Sequence, residues 1–243
     1  MPAPWYQTLF SGLFLDSMRA MYGEAQTRSE AEFLRRALSP RPAARILDVP
    51  CGGGRLSHVL AAQGFDVVGV DLCADLVAEA QAKGSGAAFH RRDMRDLPWS
   101  GEFDHAYCMG NSFAYLGREG DLAFLRAVAD ALKPGGTFLL ETHLAAECVM
   151  SQALTRRWYP MGDLVFLHDP KYDAAASRIV SDYAILKDGR MEKAQAVYQV
   201  YFAREVAAMA EQAGLRVKAT WGNHAGDPIA LGSPGLWIVA EKG

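Results

Sequence analysis

Residues 45–55 read RILDVPCGGGR, and this stretch decides the fold. A short apolar run (Ile46, Leu47, Val49) carries an acid, Asp48, near its end. Glycines follow at 52, 53 and 54, and a helical pattern opens at Arg55. A buried strand that turns into a helix through glycines brings bare backbone and a helix N-terminus up to a ligand, because no Cβ stands between them.

Downstream, the same beat repeats. Residues 45–49, 66–70, 87–91, 103–109 and 137–142 read as strands, and 55–63, 75–83 and 119–132 as helices between them. Gly64, Gly84 and the Lys133-Pro134-Gly135-Gly136 run stand where a helix must turn back into a strand. A helix over 204–213 and strands over 215–220 and 236–240 complete the pattern. Near-continuous apolar strands alternating with helices imply a parallel sheet covered on both faces. The fold class is α/β, a doubly wound Rossmann-like sheet.

Two parts break the beat. Upstream, residues 5–38 read as helical, with Trp5, Leu9, Phe10, Leu13, Phe14 and Met18 spaced along one face. Ser29 and Glu32 offer a capping box for a helix over 30–38, and Ser39-Pro40-Arg41-Pro42 ends it. After the fifth strand, residues 158–172, 177–187 and 191–202 look extended, with Asp188-Gly189 as a hairpin signal. The expected organisation is an N-terminal helical cap (1–43), a ligand-binding α/β core (44–145), an antiparallel insert (146–202) and completion of the core (203–243).

Composition narrows the partners. The chain has 243 residues, 50% hydrophobic and 22% charged, enough to bury a substantial core. Its formal charge is −3 and no Lys/Arg run supplies phosphate contacts, so nucleic acid is not an expected partner. No apolar run approaches the roughly 20 residues that span a bilayer, so no membrane association is expected. The start, MPAPWYQTLF, lacks a secretory pattern, which makes the cytoplasm the expected compartment. Cys51, Cys73, Cys108 and Cys148 form no CxxC and have no His at zinc spacing, so neither a disulfide framework nor a metal is expected. A homodimer is left open.

Three candidate contacts lie at the carboxyl ends of successive strands, the edge where open α/β sheets bind ligands. One is the turn from Asp48 to Gly54. The second is Asp71, which closes VVGVD and could accept both hydroxyls of a ribose. The third is Asp93-Met94, an acid able to accept from an adenine amino group beside a side chain able to pack on the ring. Singly each has a bland reading as a tight turn, a helix cap or a loop acid. Their order and spacing together describe an adenosine-sized site.

With these residues in place, the chain resembles the class I S-adenosylmethionine-dependent methyltransferases, by motif over about residues 44–142 and by pattern over 203–240. The family's first motif, D/E-x-G-x-G-x-G, aligns with Asp48-Val49-Pro50-Cys51-Gly52-Gly53-Gly54. Its ribose-binding acid falls on Asp71 and its adenine pair on Asp93-Met94. The FDHAYCMGNSFAYL run (103–116) resembles its strand-four motif, and KPGG (133–136) its turn before strand five. DMRDLP (93–98) and NSFAYL (111–116) resemble a branch acting on small molecules, the amino-sugar N-methyltransferases and glycine or sarcosine methyltransferases.

The resemblance implies a seven-stranded sheet, S-adenosyl-L-methionine as cofactor, and a small-molecule methyl acceptor at nitrogen or oxygen. It implies that the cap and the insert fold over the sheet edge as a lid. The cofactor set it implies is Asp48, Pro50, Cys51, Gly52, Gly54, Asp71, Leu72, Asp93, Met94 and Met109, with Tyr22 closing over from the cap beside Trp5 and Tyr6. Pro50 departs from the family glycine; it removes an N–H and fixes φ, and is read as a tolerated variant.

The methyl of a sulfonium is already activated, so an enzyme of this kind needs alignment and exclusion of water rather than a nucleophile triad. His143, just past strand five, is a candidate proton acceptor, against the plainer reading of a loop histidine with partners. Asn111, after strand four, is a candidate ligand for substrate or for the cofactor's amino-acid end, against a turn residue. Tyr115, Tyr198 and Tyr201 are candidates for the chamber wall, against core packing. An NAD-dependent Rossmann oxidoreductase shares the glycines and the acid after strand two. The acid before the glycines, the Asp93-Met94 pair and the KPGG turn speak against it. A catalytically inert cofactor-binding partner subunit is excluded by no sequence feature.

Overall fold

Ile46 and Leu47 are neighbours on one strand, so they face opposite sides of the sheet, and both are fully buried. The strand is therefore covered on both faces, as its unbroken apolar sequence requires. A computed structural model describes residues 4–150 and 154–243. The first three residues of the expected cap and residues 151–153 of the expected insert lie outside it.

Three helices open the chain: α1 (Trp5–Thr8), α2 (Gly12–Met21) and α3 (Glu24–Leu38). The core follows as β1 (Arg45–Asp48), α4 (Arg55–Ala62), β2 (Asp66–Asp71), α5 (Ala74–Ala82), β3 (Ala88–Arg91), β4 (Phe103–Cys108), α6 (Gly117–Ala131) and β5 (Leu132–Thr142). A short α7 (Ala146–Val149) precedes β6 (Arg157–Met161), β7 (Leu164–Asp173), β8 (Arg178–Lys187) and β9 (Arg190–Gln199). Then α8 (Ala203–Gln212), β10 (Leu215–Trp221) and β11 (Leu236–Lys242) complete the core.

Seven strands form one sheet in the order β10-β11-β5-β4-β1-β2-β3. The pairs among β1 to β5 are parallel, while β11 runs antiparallel to β5 and to β10. Winding reverses between β1 and β4, which opens a crevice at the carboxyl ends of these strands. On one face α3 and α4 bury Phe33, Leu34, Leu56 and Leu60 with Ile46, Val67 and Leu139. On the other, α6 and α8 bury Phe124, Leu125, Val206 and Met209 with Leu47, Val68 and Leu140.

The antiparallel insert is a separate sheet in the order β6-β7-β8-β9. Its last hairpin turns at Asp188 and Gly189, both at positive φ (49° and 75°), with Lys187 paired to Arg190. This is the conformation an Asp-Gly loop favours between twisted strands. Leu164, Ile185, Ala196 and Tyr198 on its inner face pack on Leu9, Leu13 and Phe14, so sheet and N-terminal segment form one lid.

Four local expectations change. Helix α3 begins at Glu24 behind Gly23, so Ser29 and Glu32 lie inside it and cap nothing. Residues 158–172 are two strands, because Gly162 takes a φ of 63° and turns the chain back. The lid's last strand stops at Gln199, whose N–H goes to Ala114 O, and Tyr201 then bridges to Ala145 in the core. KPGG is drawn into β5 rather than standing before it, at a register shift against β4.

Candidate active site

A cavity of about 520 Å³ lies between the carboxyl ends of β1, β2 and β4 and the underside of the lid. Its size is ordinary for a small-molecule site. The sheet supplies the floor; α2 and the inner face of β7–β9 supply the roof.

The floor begins at Asp48, 3% exposed, whose Oδ2 accepts a hydrogen bond from Ser57 Oγ at 2.6 Å. Burial pushes its carboxyl up to about 7, with Ser57 and Arg55 opposing. The amides either side of Pro50 are spent in the sheet: Val49 N–H donates to Tyr107 O and Cys51 N–H to Val70 O. Nothing in the turn therefore asks residue 50 for a donor, which explains why proline fits.

Asp71 organises the turn. Its Oδ2 accepts Gly52 N–H and its Oδ1 accepts Cys73 N–H, both at 2.8 Å. Each oxygen keeps a second lone pair, so the carboxylate can still accept from vicinal hydroxyls. Gly52 has a φ of +54° and open space where a Cβ would stand. Gly54, an expected wall residue, is instead packed beneath the turn. A Cβ there would stand 2.7 Å from the Phe89 ring, and the residue does not line the cavity.

The remaining expected cofactor residues, Pro50, Cys51, Leu72, Asp93, Met94, Met109 and Tyr22, line the cavity. Asp93 is already held by Arg95, whose Nη2 stands 2.6 Å from Oδ2; this ion pair keeps its carboxyl below the usual range. The Arg55 guanidinium lies 4.0 Å over the Tyr22 ring and pairs through Nη2 with Glu30. Its Nη1 is buried without a hydrogen-bond partner among the described residues. A buried orphan donor on the cavity wall is what an incoming carboxylate would satisfy.

The two candidate catalytic residues separate. Asn111 lines the cavity at a φ of 61°, and its Oδ1 accepts His143 N–H at 2.8 Å. His143 is not on the cavity wall. Its Nε2 meets Glu141 Oε1 at 2.7 Å and its Nδ1 meets Pro234 O at 2.8 Å. Both partners accept only, so both ring nitrogens must donate and no lone pair is left to take a proton. Burial opposes the charge, but Glu141 outweighs it and holds the imidazole above its usual range.

The roof joins Phe10 and Phe14 of the cap's apolar face and the expected Tyr115 and Tyr198 to three residues that the sequence did not mark as wall, Phe166, His168 and Tyr183. The run Leu164-Val165-Phe166-Leu167-His168 is apolar on both faces up to the histidine, so no alternation marks which side faces inward. Tyr6 lines the cavity, whereas Trp5 packs on Tyr115 and Tyr198 and donates to Val197 O. Tyr201 belongs to the core, where its hydroxyl donates to Asp121.

Comparison with known proteins bears on this geometry. A family profile described as a methyltransferase domain matches residues 46–136. The putative methyltransferase YqeM of Bacillus subtilis is 36% identical over 104 residues, a match spanning 41% of this chain and only 42% of that relative. The cypemycin N-terminal methyltransferase of a Streptomyces species is 31% identical over 206 residues, covering 81% of this chain and 82% of that one. The chain belongs to the class I S-adenosylmethionine-dependent methyltransferases. The crystal structure of an S-adenosylmethionine-dependent methyltransferase from Clostridium acetobutylicum has the same fold, with a TM-score of 0.79 at 16% identity over 95% of this chain and 96% of the other. The floor fits the family's cofactor: an orphan Arg55 donor that a carboxylate would satisfy, an open Gly52, and spare lone pairs on Asp71. Among the described residues no group of His, Cys, Asp and Glu is placed to hold a metal, and no helix is long and apolar enough to cross a membrane.

Proposed function

We propose that the protein methylates a nitrogen or oxygen of a small molecule, using S-adenosyl-L-methionine. One observation carries the reading: the acid-marked floor and the aromatic roof enclose a single continuous cavity. When bound, the cofactor supplies a methyl on a cationic sulfur. Asp71 would hold the ribose, Asp93 and Met94 the adenine, and Arg55 the amino-acid carboxylate. Tyr22, stacked on Arg55, closes that end against water. Asn111, whose Oδ1 already accepts His143 N–H, lines the cavity, where its side chain would contact the acceptor or the cofactor's amino-acid end. The roof residues would hold the acceptor in line by packing.

An NAD-dependent reading is not favoured by the turn. A diphosphate needs free backbone donors at the glycines. Here Cys51 N–H goes to Val70 O, Gly52 N–H to Asp71 and Gly54 N–H to Cys51 O. The wall comes from one chain, so the reading does not require a homodimer.

Two assays test the proposal. S-adenosylhomocysteine should raise the melting temperature where NADH does not, and stabilisation by NADH alone would overturn the cofactor reading. Methyl-labelled cofactor offered with a panel of arylalkylamines, amino sugars and phenols should label at least one class. Labelling of protein or nucleic acid instead would overturn the acceptor class.

A further inference from the structure

We infer that His168, on the inner face of the lid sheet, takes the proton that the acceptor loses on methylation. This rests on the functional reading above. The lid sheet gives the cavity Phe166, His168, Tyr183 and Tyr198, and of these only a histidine exchanges a proton near neutral pH. Burial moves Tyr183 and Tyr198 further from that range.

Register fixes the position. His168 pairs with Tyr183 directly across β7 and β8, with ring centroids 5.0 Å apart. Its Nε2 lies 2.9 Å from Ser181 Oγ, and Ser181 is buried. Nδ1 has no hydrogen-bond partner among the described residues. With hydrogen on Nε2 donated to Ser181, Nδ1 keeps the lone pair that a general base needs. The charged groups nearest the ring are Asp169 and Arg157, and Tyr183 faces it from β8. Burial holds the imidazole toward its neutral form, with Asp169 opposing and Arg157 assisting. His143, by contrast, has both nitrogens committed to acceptors.

The balance is simple. The acceptor's lone pair forms the bond to the methyl carbon as the carbon–sulfur bond breaks, and that electron pair stays on sulfur. The acceptor nitrogen or oxygen then carries one proton too many. It passes to Nδ1 and leaves to water when the products depart.

The first test needs no acceptor. The His168 ring is titrated by NMR, assigned through His168→Gln, in complexes with S-adenosylmethionine and with S-adenosylhomocysteine. These ligands differ by one methyl and one positive charge. A unit charge on the order of 7 Å away lowers a neighbouring imidazole by about half a pH unit even at water-like screening. His168 should therefore titrate at least about that much lower in the S-adenosylmethionine complex. Coincident titrations overturn the inference, whereas failure of S-adenosylhomocysteine to bind overturns the cofactor reading instead. The second test uses whichever amine or phenol of the panel is methylated. His168→Gln and His168→Asn should lower kcat about 100-fold or more and abolish the acidic limb of its pH profile. Their affinity for S-adenosylhomocysteine should be unchanged, which shows that the fold is intact. Retention of kcat and of the limb overturns the inference.

Discussion

The carboxylate of Glu192 on β9 accepts the backbone N–H of Leu13 at 2.8 Å, fastening the first turn of α2 to the lid sheet. It satisfies a donor that no helical carbonyl can reach and sets negative charge at a helix N-terminus. Gly12 permits the approach, since a Cβ there would stand 2.5 Å from Glu192 Oε2 and its φ is +54°. Glu192→Ala should cost about 1 kcal/mol in urea denaturation, and Gly12→Ala at least as much. A Gly12→Ala protein as stable as the parent would show that this fastening is dispensable.

Asp48 makes stability depend on pH. Burial raises its folded pKa from 3.8 to about 7, so the folded state holds the proton more tightly than the unfolded chain. Its contribution is full below about pH 3.8, declines as pH rises and is lost above about 7. Asp48→Asn, which cannot ionise, should therefore gain on the parent between pH 4 and 8, by on the order of a few kcal/mol at most. Melting curves of the two ligand-free proteins check this. A difference independent of pH would sink it.

Arg55 is assigned to the carboxylate of the amino-acid tail. Arg55→Gln should weaken S-adenosylhomocysteine by about 10-fold or more, the worth of a charged hydrogen bond. It should leave 5′-methylthioadenosine, which lacks that tail, almost unaffected. Equal losses for both ligands in calorimetry would place Arg55 elsewhere.

Asp71 holds two backbone amides as well as facing the cavity. Asp71→Ala should therefore lower both ligand affinity and melting temperature. Asp71→Asn, which keeps one acceptor oxygen, should recover more of the stability than of the affinity. If both variants bind S-adenosylhomocysteine like the parent, the ribose assignment is wrong.

Gly54 tests packing rather than binding. Its positive φ and the Phe89 ring leave no place for a Cβ, so Gly54→Ala should destabilise by roughly 1–3 kcal/mol. Gly52→Ala, where the space is open, should spare more of the packing and act mainly on affinity.

The sheet and its strand-end acids were legible because apolar strand runs alternate with helices that end on glycine stops, and chain direction alone puts Asp48, Asp71 and Asp93 on one edge. His143 shows the limit of that logic. Its backbone stands at the expected edge, but side-chain direction is set by Glu141 and Pro234, and Pro234 is remote in sequence. His168 failed to register for the opposite reason. A strand's inward face depends on what covers it, and nothing local announces that Leu9, Leu13 and Phe14 lie beneath this sheet. The β6–β7 turn was within reach, since Gly162-Asp163 follows an apolar stretch. Arg55 looked like the first residue of a helix; its stacking on Tyr22 and pairing with Glu30 are tertiary facts.

Helix α2 touches both halves of the cavity, fastened to Glu192 at its start and lining the wall with Met18 and Met21 toward its end. On the proposed reading one helix would border both the cofactor and the acceptor, so a displacement of that helix would open the two together and access to one would not be independent of access to the other.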